Sequence, residues 1–153
     1  MNSTNPIYPS YSVVGDRYTY LVTGVETNGA FAMFEAYVPP GNGPPPHVHH
    51  REDEMFYVIE GEFEFNVAGE SKRLGAGDFL LGRRGVPHNF TNIGSSPGRM
   101  LITVTPAGFE GFFAEIGIEL ASKEEMPIPP TPEDIGMLLE AAVKYGVEIM
   151  VKH

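Results

Sequence analysis

Apolar and polar residues alternate with a period of two along much of the chain up to Thr105. The cleanest run is Glu62 to Val67 (EFEFNV), which puts Phe63, Phe65 and Val67 on one face and Glu62, Glu64 and Asn66 on the other. That is a strand with one buried face. Ala30 to Val38 (AFAMFEAYV) also alternates, with Phe31, Met33, Glu35 and Tyr37 on one face and Ala32, Phe34, Ala36 and Val38 on the other. Both of its faces are mostly apolar, so this strand is expected to be covered on both sides. Arg17 to Val22, Glu54 to Ile59, Ser71 to Leu74, Asp78 to Leu81, His88 to Asn92 and Arg99 to Thr105 read as further short strands, several of them rich in β-branched and aromatic residues.

Turn chemistry separates these runs. Asn28-Gly29, Ala68-Gly69, Gly75 to Gly77 and Gly94 to Gly98 supply positive φ or break the ladder. Pro39 to Pro46 (PPGNGPPP) is the strongest break, because five of its eight residues are proline and donate no N–H. Many short strands with a turn about every ten residues predict an all-β jelly-roll, a sandwich or β-barrel.

After Pro106 the period changes. Phe109, Phe112, Phe113 and Ile116 recur at helical spacing. Farther on, Thr131 reads as an N-cap, with Pro132 at the first helical position and Glu133 and Asp134 in the first turn. Ile135, Leu138, Leu139, Ala142 and Val143 form an apolar stripe, and Gly146 ends this C-terminal α-helix. The expected organisation is a β-barrel with an N-terminal arm and a short post-barrel helix over residues 1–120. A proline-rich connector and the C-terminal helix follow over 121–153. Residues 1–12 read as an extended arm that covers an edge strand. No segment repeats another, so one barrel is expected.

Composition narrows the function classes. The 153 residues carry a net charge of -10, which repels phosphate backbones and anionic membranes, so neither nucleic acid nor membrane is an expected partner. No apolar run reaches the length of a membrane span, and the N-terminus lacks a signal-peptide pattern. Cytoplasmic location is therefore the default. With no cysteine, thiolate metal sites and Fe–S clusters are excluded, and any metal has only N and O ligands.

The chemistry gathers between Gly41 and Gly61. His47 and His49 are two apart, so an extended chain puts both rings on one face and turns His50 away. Glu54 has the wrong parity to join them unless a turn or bulge at residues 51–53 re-aims it. His88 comes from a separate strand. By itself a His-x-His pair is more often surface chemistry than a metal site.

The spacing is more specific than the pair. Gly41-x5-His47-x-His49-x4-Glu54-x6-Gly61 is followed by Gly77-x5-Arg83-x-Gly85-x2-His88-x3-Asn92. This resembles the two-motif signature of the cupin superfamily. It departs at one position, Arg83, where the family has a proline that shapes a turn. The resemblance implies that His47, His49, Glu54 and His88 bind one divalent metal ion: Fe, Mn, Ni, Co or Zn. The run from Pro44 to Phe65, and Pro106 to Gly117, resemble small single-domain cupins of the quercetin 2,3-dioxygenase type. The implied activity is a metal-dependent dioxygenase acting on a flavonol-like or other aromatic enol, with Glu54 as both ligand and proton acceptor.

A flat aromatic substrate calls for an apolar pocket. Parity nominates Met33, Phe56, Phe79, Leu81 and Phe90 as substrate-binding residues, Phe56 and Phe90 foremost because each lies two residues from a ligand. The competing class is a metal-dependent isomerase or lyase, or a binding protein without chemistry, acting on a small polar molecule. It requires basic residues at the mouth, from Arg83, Arg84 or Arg99. The stripe on the C-terminal helix predicts a homodimer formed by strand or helix exchange.

Overall fold

A computed structural model describes residues 8–150. The chain opens with β1 (Ser10–Val13), β2 (Asp16–Val22), β3 (Ala32–Val38), β4 (His47–His49) and β5 (Asp53–Glu60). It continues through β6 (Phe63–Val67), β7 (Glu70–Leu74), β8 (Phe79–Gly82), β9 (His88–Asn92) and β10 (Gly98–Thr105). Helix α1 (Glu110–Ile116), β11 (Ile118–Leu120), helix α2 (Pro132–Lys144) and β12 (Val147–Ile149) complete it. The expected strands are present, with shifts of one or two residues at their ends.

The strands form two antiparallel sheets. One runs β11-β1-β2-β3-β10-β5-β8 and the other β12-β4-β9-β6-β7. Strands next to each other in sequence repeatedly fall in different sheets, which is the jelly-roll crossover pattern. Between the sheets lies an aromatic core. Phe56, Phe63, Phe65 and Phe90 pack edge-on or tilted, with ring centroids 5.0 to 6.4 Å apart. Each such buried side chain contributes about 1.5–3 kcal/mol relative to exposure, and edge-to-face pairing adds to that.

The period-two pattern decides which residues face that core. In β3 the inward set is Ala32, Phe34, Ala36 and Val38, all buried, and Met33, Glu35 and Tyr37 point outward. Cover on both faces of β3 is the expectation from its sequence; the outer face is half-exposed instead. The proline loop between β3 and β4 is fastened to β9 by paired backbone bonds, Gly41 N–H to Asn92 O and Asn92 N–H to Asn42 O, each 2.9 Å. Gly43 (φ +150°) lies so close to β9 that a Cβ there would stand 2.0 Å from Phe90 O. No other residue type fits.

The segment expected to be an arm is partly strand. β1 pairs with β2 on one side and β11 on the other, while residues 1–7 lie outside the described residues. In α2 the expected cap is found: Thr131 Oγ1 accepts from Asp134 N–H, and the Asp134 carboxylate accepts from Thr131 N–H. This capping box settles where the helix begins. The stripe divides. Leu138 and Ala142, joined by Ala141, are buried, whereas Ile135, Leu139 and Val143 remain exposed. β12 then returns to its own five-stranded sheet, alongside β4. Among the described residues no helix is long and apolar enough to cross a membrane.

Candidate metal centre

The four residues named from the motifs meet at one point. His47 and His49 lie on β4, and His88 opens β9 directly across the ladder from His47. Glu54 comes from β5 in the other sheet. The parity problem at Glu54 is solved by the crossover, not by a bulge in one strand. His50 to Glu52 carries the chain from one sheet to the other, so the alternation on β4 does not govern β5. His50 points outward, as parity requires, and its Nε2 stands 3.7 Å from Glu148.

All four side chains are buried, and one ligand atom from each lies within 4.8 Å of every other. His88 Nε2 is 2.8 Å and His49 Nε2 3.3 Å from Glu54 Oε1. Around an ion with bonds of about 2.1 Å, neighbouring ligand atoms stand about 3 Å apart and opposed ones about 4.2 Å. The cluster therefore fits a divalent ion of the transition series. The remaining ring nitrogens are already engaged. His47 Nδ1–H donates to Pro45 O at 2.8 Å, His88 Nδ1–H to Val86 O at 3.2 Å, and His49 Nδ1–H to Glu52 Oε1 at 2.5 Å. These bonds fix each ring's orientation and turn Nε2 toward the common centre.

The electrostatics favour the same arrangement. Burial and the neighbouring His49 push His47 down to about 4, so it is neutral at pH 7 and can donate a lone pair. Burial works against charge on His49 as well, but Glu54 and the hydrogen-bonded Glu52 outweigh it and raise its pKa. Burial alone would raise Glu54; the charge on His49 and the bond from His88 reverse that and hold it at about 2. Glu52 is only 3% exposed, and no sequence pattern nominates it for the site. Its position three residues beyond His49, across a sheet crossover, has no signature in a strand pattern.

His47, His49 and Glu54 of the cluster line a cavity of about 80 Å³. Of the five residues nominated to line it, only Phe90 does. Phe56 is buried beside His88, with ring centroids 5.6 Å apart, and belongs to the core. Phe79 and Leu81 are 58% and 42% exposed, on the outer face. The cause is register: Leu80 and Gly82 pair with Phe56 and Glu54, so they share the inward face and their neighbours cannot. Met33 points outward for the same reason, between inward Ala32 and Phe34. The wall is made instead by Phe34, Ile102, Phe109, Phe112 and Phe113, with Leu138, Val147 and Ile149 from the C-terminal segment. The helical spacing of Phe109, Phe112 and Phe113 is visible in the sequence; nothing there tells which cavity the helix faces.

Among the described residues no lysine or arginine lines the cavity. Arg84 is bound to Asp53, and Arg99 to Glu60 and Glu35. The turn that lacks the usual proline still forms, with Val86 N–H donating to Arg83 O and Gly85 N–H to His49 O.

Comparison with known proteins agrees with this geometry. Residues 34–104 match the model of the cupin domain. Among curated proteins, polyketide synthase CurC of Streptomyces cyaneus is 32% identical over 102 residues, which cover 65% of either chain. The chain thus spans somewhat less than two thirds of that relative's length. Among solved structures, KdgF from Halomonas sp. superposes with a TM-score of 0.61 at 19% identity, covering 71% of this chain and 99% of that one. The polyketide cyclase RemF from Streptomyces resistomycificus gives 0.57 at 20% identity, over 69% and 78%. The four motif residues, assembled between two jelly-roll sheets, all lie within the stretch that matches the cupin domain.

Proposed function

We propose that the protein is a metal-dependent enzyme acting on a flat aromatic enol, with dioxygen as co-substrate. The observation that carries this reading is the make-up of the cavity: a cluster of three histidines and one glutamate beside it, an aromatic wall and, among the described residues, no lysine or arginine. Apart from the ion itself, an anionic sugar or carboxylate substrate meets no lysine or arginine there. A ring system fits beside Phe34, Phe90, Phe109 and Phe113, which bury its faces.

When bound, a divalent ion acidifies and orients the enol hydroxyl. His47, His49 and His88 hold their Nε2 atoms toward it, and Glu54, anionic at neutral pH, accepts the enol proton at its carboxylate. Leu138, Val147 and Ile149 wall the cavity on the side of the C-terminal segment and keep water from the activated ring. The net reaction adds both oxygen atoms of dioxygen to the ring system and releases carbon monoxide. A second reading, proton transfer or ring closure on a polyketide-like enol without oxygen, is favoured by the name of the CurC relative. Elemental analysis of the purified protein, then oxygen uptake with a flavonol panel, separates the two. Metal-loaded protein that turns over enols without consuming oxygen would establish the second.

The reading includes a homodimer, formed through the outer face of the seven-stranded sheet. The strand registers place Leu101, Tyr57 and Phe79 in one row across β10, β5 and β8, and Thr103, Met55 and Leu81 in the next. The charges flanking these rows are already paired within the chain. β8 is an edge strand, with β5 its one neighbour. A neutral apolar patch beside an open edge is self-complementary, and a second copy related by a twofold axis covers both.

A further inference from the structure

The cavity has a second polar pole that the metal cluster does not use. Asp16, the first residue of β2, is 3% exposed and lines the same cavity as His47, His49 and Glu54. Its Oδ1 accepts from Asn42 Nδ2 at 2.5 Å, and Tyr18 Oη–H points to Oδ2 at a longer 3.4 Å. Among the described residues no cation neutralises it: the partners are an amide and a phenol. Two carboxylate oxygens offer about four acceptor positions, of which these two contacts use two. Each oxygen thus has one partner and keeps a second acceptor position.

The strands keep the two poles apart. Glu54 is on β5 and Asp16 on β2, with β3 and β10 between them in the sheet. Tyr18 lies between the poles, its ring stacked on Phe113 at 4.2 Å. The hydroxyl of Tyr18 is pushed well up, first by burial and then by the charges of Asp16 and Glu54, so it stays a donor. The stretch between the poles is aromatic.

We propose that Asp16 is a substrate-binding residue that accepts a hydrogen bond from a hydroxyl at the far end of the substrate, the end remote from Glu54. The substrate class that follows is a polyphenol: a flat apolar ring system with one hydroxyl at the metal cluster and another at Asp16. This rests on the aromatic-enol reading and sharpens it. Burial pushes the Asp16 carboxyl up to about 7, so near neutral pH it exchanges readily between acceptor and donor.

The test is equilibrium binding, by calorimetry, of 3-hydroxyflavone and of flavonols bearing added ring hydroxyls. It uses metal-loaded wild-type protein, Asp16→Asn and Asp16→Ala, with metal content measured on each. The wild type is expected to prefer a hydroxylated flavonol by about tenfold or more, and the preference to collapse toward one in Asp16→Ala with metal retained. Asp16→Asn keeps an acceptor for Asn42 and guards against a misplaced proline loop. If the wild type shows no preference, or both variants keep it, Asp16 is not the second pole while the aromatic reading stands. If both variants lose metal and all flavonols alike, Asp16 only braces the loop, and the proposal is overturned. If no flavonol binds the wild type, the aromatic reading falls and the proposal with it.

Discussion

Val147 stands directly opposite His49 in the antiparallel ladder between β12 and β4. Ile149 stands in the same way opposite His47. The strand that carries two of the four ligands is therefore held on one side by the C-terminal segment, and on the other by a single paired position, His47 with His88. Ending the chain after Lys144 removes that support and opens the cavity wall. The shortened protein is expected to bind metal about tenfold more weakly or worse, on the scale seen when groups that orient ligands are lost. Competition against a coloured chelator measures it; an unchanged affinity would show that β9 alone positions β4.

Glu52 is the orienting group with the most to lose. Its carboxylate fixes the His49 ring and its tautomer. Glu52→Gln is expected to lower metal affinity by about 10–100-fold with little change in thermal stability of the metal-free protein. His49→Ala, which removes the ligand itself, should abolish stoichiometric metal. Equal behaviour of Glu52→Gln and wild type in metal titration would remove Glu52 from the site.

Metal binding should release protons. The pKa of His49 is raised above its usual 6.5 by Glu54 and Glu52 despite burial, so its proton must leave before Nε2 can bind an ion. His47, already neutral, releases none at pH 7. Affinity should rise with pH through the neutral range and level off once His49 has lost its proton. Titration calorimetry in buffers of different ionisation enthalpy should show a net release of protons near pH 7. A heat independent of buffer would contradict the assigned charges.

Asp16 makes a separate pH prediction. Its pKa is about 7 in the folded chain against an ordinary value of 3.8. Between these values the folded state holds the proton and the unfolded state has lost it. Its contribution to stability is thus complete below about pH 4 and is lost as pH rises through 7. Asp16→Asn has no such proton. Relative to wild type, this variant should gain stability steadily from about pH 4 to above pH 7, as read by denaturant midpoints. A constant difference would show that the carboxyl is not shifted.

The dimer is tested at Phe79 and Leu81, which are exposed and outside the metal cluster. Phe79→Glu combined with Leu81→Glu should give a monomer by light scattering where the wild type is a dimer, with metal content unchanged. Wild-type protein that is monomeric at micromolar concentration would dispose of the interface.

The contrast between Phe90 and Phe79 shows how far the sequence could be read. The strands and the four-residue cluster were legible because period-two alternation and fixed motif spacings are local properties. Phe90 was placed correctly by its two-residue distance from His88. Phe79 and Leu81 were not, because the face a short apolar run presents is set by its partner's register. Here the partner is β5, separated in sequence by the whole of β6 and β7. Phe34, Phe109 and Phe113 line the cavity through packing of β3 and α1, and Asp16 through the approach of the proline loop. The exposed half of the α2 stripe is likewise a tertiary outcome: Leu138 and Ala142 were drawn inward and Val143 was left out.

The three histidines belong to one sheet and Glu54 to the other. An ion bound by all four would be a rivet through the sandwich. Any slippage of one sheet over the other stretches its coordination, so metal exchange and sheet separation become a single event. The free energy of holding the ion is then added to that of keeping the sheets together, and stripping the ion would loosen the junction between β4 and β5.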